Sequence, residues 1–400
     1  MTNDQRQDYH SPLEIAGAPD LKLVSKLPEV GTTIFTVMSR LANECGAINL
    51  SQGFPDFACP AALVDEVTRA MREGHNQYPP MAGIEPLRQA IARKIETLYG
   101  VRVDPETEVT VVSGATEGLY NAITAAIRPG DEAIIFDPAY DSYDPVIRLA
   151  GGSTRRIAMR YPEYAIDWDE VEDSVSPRTR LIIVNSPHNP SGAILRAADM
   201  QALSGIANRH DLCIISDEVY EHIIFDGEQH QGVLRYPALR ERSFAIFSFG
   251  KTYHATGWKV GYCVAPPALT TEYRKIHQFN TFTTCTPMQH ALARFMENSA
   301  HYLGLPAFYQ AKRDHLRETL RDSRLRALPC SGTYFQLFDY SAISDEGDYD
   351  FAQRLTREHG VAVIPVSVFH GDGADHKVIR VCFAKHEATL DRAAAILRRL

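Results

Sequence analysis

Two lysines eight residues apart, Lys251 and Lys259, lie between the apolar runs 244–247 and 260–265, in the stretch SFGKTYHATGWKVGYCVAP that begins at Ser248. An ammonium between two buried strands without a partner costs several kcal/mol to bury, so something must use it. A desolvated lysine amine is a nucleophile for carbonyl groups, and a nearby hydroxyl and second cation suit a bound phosphate. Other residues carry complementary chemistry. Asp217 follows the apolar run 212–215, so its carboxylate sits at the tip of a buried strand and needs a cationic or N–H partner such as a pyridinium. Tyr220, three residues on, offers a hydroxyl to a phenolate oxygen. In NSPHNPSG (185–192) two prolines stiffen the loop and present Asn189 as a fixed amide donor. Tyr140, after Asp137 and Pro138, has a flat face for stacking on an aromatic ring. Arg380 stands among Val378, Ile379, Val381, Cys382 and Phe383, where a guanidinium would grip a planar carboxylate at two points.

Taken singly, each of these has an ordinary reading: exposed loop lysines, a capping aspartate, an Asx-turn, a core aromatic, an arginine paired with an internal acid. Their placement argues otherwise. Strand-like runs fall at 108–112, 132–136, 154–158, 181–184, 212–215, 245–247 and 260–265, with helical stretches between several of them, including 197–209. Continuous apolar strands alternating with helices predict a mainly parallel sheet covered on both faces, which binds its ligand beyond the carboxyl ends of the strands. Gly114, Tyr140, Asn189, Asp217 and Ser248 all fall at such ends. Strand 108–112 runs straight into SGATEG (113–118) and an apolar helix, a turn in which Gly114, Ala115 and Thr116 would offer free N–H groups to an anion. Gly53, in a turn-rich segment, is able to approach a ligand through its main chain. These residue types suit pyridoxal 5′-phosphate (PLP), with Lys251 bonded to its aldehyde and Ser248 and Lys259 on its phosphate.

Composition narrows the field. The 400 residues exceed what one core usually holds, and a net charge of -9 gives no basic field for nucleic acid or anionic lipid. The start of the chain is polar, without a signal-like apolar core, and no apolar run reaches the length of a membrane span. Seven cysteines (Cys45, Cys59, Cys213, Cys263, Cys285, Cys330 and Cys382) are scattered and never spaced as C-x-x-C. Most of them read as small core residues in a reducing cytoplasm, and the set as neither disulfides nor zinc ligands. Further helices are expected at 33–45, 85–98, 119–127, 271–278 and 287–297. A long one at 302–321 is open to interruption at Pro306, and the tail adds a helix at 349–358, strands at 361–365 and 378–383, and a last helix at 388–400.

The motifs SGATEG, DPAYDSY, NSPHNPSG, SDEVYEHIIFDG, SFGKTYHATGWKVGYCVAP and IRVCFAKHEATL occur in that order from about Gly53 to the end. With them the chain resembles the PLP-dependent class I/II aminotransferases of fold type I, in the branch of kynurenine/glutamine and bacterial methionine aminotransferases. The resemblance implies an α/β fold: a large domain whose mainly parallel sheet is flanked by helices, plus a smaller α+β domain. The expected division is 1–52 as N-terminal arm and part of the small domain, 53–295 as the large PLP-binding domain, and 296–400 as the C-terminal small domain. It also implies Lys251 as the cofactor-bearing lysine and proton shuttle, Asp217 at the ring nitrogen, Tyr220 and Asn189 at the ring oxygen and Tyr140 stacked on the ring. Ser248, Lys259 and the Gly114-Ala115-Thr116 turn would hold phosphate; Asn185 and Arg380, with the Gly53 backbone, would take the substrate carboxylate. Tyr78 would reach the partner subunit's phosphate and Phe282 its substrate pocket in a homodimer with shared active sites. The implied activity is transfer of an amino group from a large neutral amino acid to a 2-oxo acid in the cytoplasm, without nucleic acid or membrane. The alternative is β-elimination from cysteine-type substrates by a C–S lyase on the same cofactor. A nucleotide-binding dehydrogenase is disfavoured, since no G-x-G-x-x-G follows a strand.

Overall fold

The computed structural model describes residues 23–400. The polar start of the chain, read above as an arm, lies mostly outside these described residues. In chain order the strands are β1 (Ile48–Asn49), β2 (Val109–Val112), β3 (Glu132–Asp137), β4 (Ser153–Ala158), β5 (Thr179–Asn185), β6 (Cys213–Asp217), β7 (Ser243–Ser248), β8 (Gly261–Val264), β9 (Arg326–Ala327), β10 (Phe335–Asp339), β11 (Val361–Ala362), β12 (Ile364–Pro365) and β13 (Val378–Cys382). Seven of them form one sheet in the order β2-β8-β7-β6-β5-β3-β4. The β3–β4, β3–β5, β5–β6 and β6–β7 pairs are parallel, whereas β8 is antiparallel to both β2 and β7.

Because side chains alternate across a strand, each apolar run feeds two cores. Ile135, Ile183, Ile215 and Ile246 point to one face and pack with Leu119 and Ile123 of the helix Ala115–Ala126. Ile134, Ile182, Ile214 and Phe247 point to the other, in a core that continues into Phe335, Leu337 and Val381 of a second sheet. That sheet is antiparallel, ordered β12-β13-β10-β9. The chain's early part joins it. β1 pairs in parallel with β11, and Cys382 N donates to Leu50 O at 2.9 Å, so residues 48–50 reach the second sheet before the chain enters the first.

Most expected elements are present within a few residues. The helix anticipated at 302–321 is two: Ala300–Leu303, then Leu305–Thr319, with Pro306 in the first turn of the second. Proline is accepted there because its missing N–H would have had no helical partner. The helix Ala61–Arg72, unforeseen in the sequence, buries Leu63, Val67 and Ala70. All seven cysteines are free thiols, but only Cys263, Cys330 and Cys382 are buried; Cys45 and Cys285 are exposed rather than core. Among the described residues no helix is long and apolar enough to cross a membrane.

Behind β7 and β8 lies a buried ion pair. Lys94 of the helix Glu85–Tyr99 donates to Glu221 and, at 2.9 Å, to Tyr262 Oη, and its Nζ lies 5.7 Å from the Phe247 ring centroid. Burial alone would raise the Glu221 carboxyl, but Lys94, His222 and the Tyr99 hydroxyl outweigh it and hold it at about 2. Removing one member leaves the other charge stranded. Lys94→Met should therefore lose about 3–5 kcal/mol of stability in urea unfolding, whereas Lys94→Met with Glu221→Leu should recover most of it.

Candidate active site

β7 ends at Ser248, and Phe249–Thr252 makes a single helical turn that carries Lys251. A short 3-10 turn, Thr256–Trp258, then delivers Lys259 with φ 53° before the chain returns as β8, where Gly261 is the register partner of Ser248. This return is tightly fitted. A Cβ on Gly261 would stand 2.5 Å from Phe247 O and 3.1 Å from Ala115 N. Gly114, at φ 83°, would put one 3.1 Å from Lys259 Cε. Glycine is thus required where the strand, the start of the helix Ala115–Ala126 and Lys259 converge. That helix has no side-chain cap at Gly114, so its first N–H groups face the same space as Ser248 and Lys259.

Lys251 Nζ donates to Tyr334 Oη at 2.9 Å and to Gly53 O at 3.3 Å. No carboxylate touches it among the described residues. Burial lowers its pKa to about 8; Lys259 and Arg380 push the same way, against Cys382 and Asp217.

Asp217, at the end of β6 and only 4% exposed, accepts from Tyr143 Oη at 2.7 Å and from Val219 N at 3.4 Å. Burial raises its carboxyl to about 6, although the Tyr143 and Val219 hydrogen bonds and the Lys251 charge pull it down. Asn185 Nδ2 donates to Asp217 O at 2.9 Å, and Asn185 Oδ1 accepts from Asn189 N at 2.8 Å. Asn189 Oδ1 in turn accepts from Arg380 at 2.8 Å, leaving its amide nitrogen as the donor end.

Arg380 is fully buried, and its other terminal nitrogen donates to Ser51 O at 3.0 Å. Its Nε has no partner, and it forms no ion pair among the described residues, so the internal Asp or Glu of the ordinary reading is not there. The guanidinium carbon lies 3.9 Å from the Phe335 ring centroid, 5.1 Å from that of Phe35 and 5.8 Å from that of Phe369. Burial holds its pKa below the usual guanidinium value. A buried cation with a free N–H and aromatic walls is built to receive an anion.

A cavity of about 160 Å³ collects these groups: Gly114, Ala115, Thr116, Tyr140, Asn185, Asn189, Asp217, Tyr220, Ser248, Lys251 and Lys259 all line it. The donor set fits PLP from end to end. An uncapped helix start with Ser248 and Lys259 suits the phosphate, Asp217 suits the ring nitrogen, and the Lys251 amine suits the aldehyde. Four anticipated residues are outside that lining: Arg380, which reaches it through Asn189, and Gly53, Tyr78 and Phe282. Gly53 meets the site through a carbonyl already bonded by Tyr334 and Lys251. Tyr78 is 85% exposed and packs edge-on to the exposed Phe282, ring centroids 5.8 Å apart, away from the cavity lining. The sequence reading missed Tyr143 and Tyr334. Tyr143 was in view, in DPAYDSY three residues from Tyr140, but nothing local to Tyr334 points to Lys251, 83 positions away.

The family model for aminotransferase class I and II matches residues 46–397. The methionine aminotransferase of Escherichia coli is 55% identical over 377 residues, covering 94% of this chain and 98% of the relative. A crystal structure of an Escherichia coli protein with a methionine aminotransferase function superposes with a TM-score of 0.93, at 55% identity, over 95% of this chain and all of that one. Human kynurenine–oxoglutarate transaminase 3 is 31% identical, covering 93% of this chain and 89% of the relative. The chain belongs to the class I and II aminotransferases; it is a PLP-dependent transaminase of fold type I.

The raised Asp217 pKa has a measurable sign. A carboxyl near 6 in the folded, cofactor-free chain and near ~3.9 when unfolded contributes stability that is complete below about pH 4 and is lost as pH rises through 6. Asp217→Asn lacks that loss. Its stability relative to the unaltered cofactor-free chain should rise by about 2–3 kcal/mol between pH 4 and pH 8, read by urea unfolding at each pH.

Proposed function

We propose that this transaminase takes the amino group of large neutral amino acids, methionine and the aromatic ones foremost, and passes it to a 2-oxo acid by ping-pong turnover. The observation that carries the reading is Arg380, a buried guanidinium without an ion pair among the described residues, packed against Phe35, Phe335 and Phe369 and one hydrogen bond from Asn189 of the Lys251 cavity. One arginine accounts for one α-carboxylate. Among the described residues no arginine is in the cavity lining itself to meet a side-chain carboxylate, and Leu119, Val219 and Val260 give that lining apolar surface. The methionine aminotransferase of Escherichia coli, 55% identical, supports the same class.

When bound, PLP supplies an aldehyde that accepts amino groups and a ring that withdraws electrons from the substrate's Cα. The chain's residues do the rest. Ser248, Lys259 and the N–H groups of Gly114, Ala115 and Thr116 would hold the phosphate, and Tyr140 would stack on the ring. Asp217, steadied by Tyr143 and Val219, would present its carboxylate to the ring nitrogen, while Tyr220 and the Asn189 amide would donate to the ring oxygen. Lys251 would be the attachment point, and its free Nζ would be the base that takes the proton from the substrate's Cα. With a pKa of about 8, a useful fraction of that amine is neutral near physiological pH. Arg380 fixes the carboxylate and so sets which Cα bond faces Lys251. Asn185 acts by holding Asp217 and Asn189 in register.

In this reading residues 53–295 carry the cofactor, and 296–400 with part of 1–52 bring the carboxylate side. The enzyme works in the cytoplasm as a homodimer, in which the exposed Tyr78 and Phe282 face the partner's site.

Replacing Arg380 by Leu leaves the substrate carboxylate unpaired and should cost about 2–5 kcal/mol in kcat/KM, some 30- to several-thousand-fold, for every amino acid. Arg380→Lys keeps charge but loses the planar fork, and should recover only part of that. A panel of amino acids against several 2-oxo acids should rank methionine and phenylalanine above aspartate; aspartate turning over faster would overturn the substrate class. Release of pyruvate and ammonia from cystathionine without any oxo acid, at a rate matching methionine transamination, would favour the lyase instead.

A further inference from the structure

Tyr334, in the turn leading into β10, touches the amine that moves the proton. Its side chain is fully buried, and its ring is held by Tyr220 at 5.1 Å and 86°, by Phe335 at 4.9 Å and by Tyr309 at 5.8 Å between centroids. Its hydroxyl donates to Gly53 O at 2.6 Å. A tyrosine has one hydroxyl hydrogen, so toward Lys251 Nζ, 2.9 Å away, Tyr334 is an acceptor. Gly53 O, a carbonyl, is an acceptor as well, at 3.3 Å. A neutral amine has two hydrogens and one lone pair in tetrahedral arrangement. With both hydrogens turned to these oxygens, the lone pair has one direction left. Lys251 lines the cavity and neither acceptor does.

We propose that Tyr334 is a positioning residue for the proton transfer: with the Gly53 carbonyl it occupies both N–H groups of the freed Lys251 amine and aims its lone pair at the substrate's Cα–H. This rests on the role given to Lys251 above. In the step itself the Cα–H bond breaks and an Nζ–H bond forms, and the electron pair left at Cα is the one the bound cofactor withdraws. Two acceptors and no donor also favour the protonated amine, alongside Asp217 and Cys382 and against Lys259 and Arg380, the other groups that act on it. The Tyr220 ring, whose centroid is 5.6 Å from Nζ, completes its surroundings.

Tyr334→Phe keeps the ring and deletes the acceptor. In the holoenzyme kcat should fall about 10- to 100-fold with KM within twofold, and the isotope effect with α-deuterated methionine should rise as proton transfer becomes limiting. In the full chain stripped of cofactor, the pH midpoint for acylation of Lys251 should drop below the unaltered chain's. Tyr309→Phe, which loses a buried hydroxyl bonded to His254 Nδ1 at 3.0 Å instead, should move neither isotope effect nor midpoint. An isotope effect and midpoint unchanged in Tyr334→Phe, or shifts shared by Tyr309→Phe, would overturn the proposal. Should Tyr334→Phe fail to fold, ¹⁵N NMR of the unaltered cofactor-free chain at pH 6 decides: the Lys251 Nζ hydrogens should exchange with water more slowly than those of Lys259, and equal exchange counts against it. An unaltered chain in which borohydride fixes no cofactor to Lys251 would sink the parent reading too, and is distinguishable for that reason.

Discussion

Charge buried without an ion pair governs this molecule. Lys251 and Arg380 sit in low-dielectric surroundings with only neutral oxygens as partners, and Asp217 has a tyrosine hydroxyl and a backbone N–H. Such groups are tolerated when hydrogen bonds satisfy most of their polar atoms and a ligand supplies the missing countercharge. The depressed Lys251 and raised Asp217 are consequences of that same desolvation. Perturbation in opposite directions at two neighbouring groups is the usual mark of a catalytic site rather than of a structural salt bridge. The contrast with Lys94 and Glu221 makes the point: there a buried lysine has its carboxylate, and the pair is closed to chemistry.

Arg380 also ties the two sheets together. It belongs to β13 of the smaller sheet, yet its donors reach Asn189, beyond the carboxyl end of β5 in the larger one, and Ser51, which follows β1. Ser51 leads directly to Gly53, whose carbonyl meets Lys251 and Tyr334. A short stretch of chain thus runs from the proposed carboxylate-binding guanidinium to the amine. A substrate bridging the two would find both ends already positioned relative to one another, which is where much of an enzyme's entropic advantage arises.

Legibility followed the range of the interactions. Strand-end placement was readable because apolar runs and turn formers are local signals, so Gly114, Tyr140, Asn189, Asp217 and Ser248 could be assigned to one rim. Arg380 was readable because a permanent charge inside an apolar strand is anomalous on any fold. Tyr334 was not: in TYFQLF it looks like any core aromatic, and its meaning depends on Lys251 and Gly53 arriving from elsewhere. Tyr143 failed for a related reason, since its partner Asp217 lies 74 positions on. The helix Ala61–Arg72 has an apolar stripe at Leu63, Val67 and Ala70, but it begins after Pro60 without a side-chain cap, so the local signal for its start is missing.

The reversal of β8 was the least visible feature and has the largest consequence. A parallel crossover after Ser248 would have carried the chain to the far edge of the sheet before the next strand began, and Lys259 would have entered at the opposite end. Running antiparallel, β8 starts where β7 stops, so Lys259 returns to the rim that already holds Ser248 and Lys251. β8 also inserts between β7 and β2, which places Lys259 against Gly114 at the start of the helix Ala115–Ala126. Cation, hydroxyl and helix N-terminus therefore converge on one point through a single change of strand direction. The glycines at 114 and 261 are the steric condition for it: a Cβ at 261 would collide with the Phe247 backbone, and at 114, where φ is 83°, one would crowd the Lys259 side chain in a conformation that other residues rarely adopt.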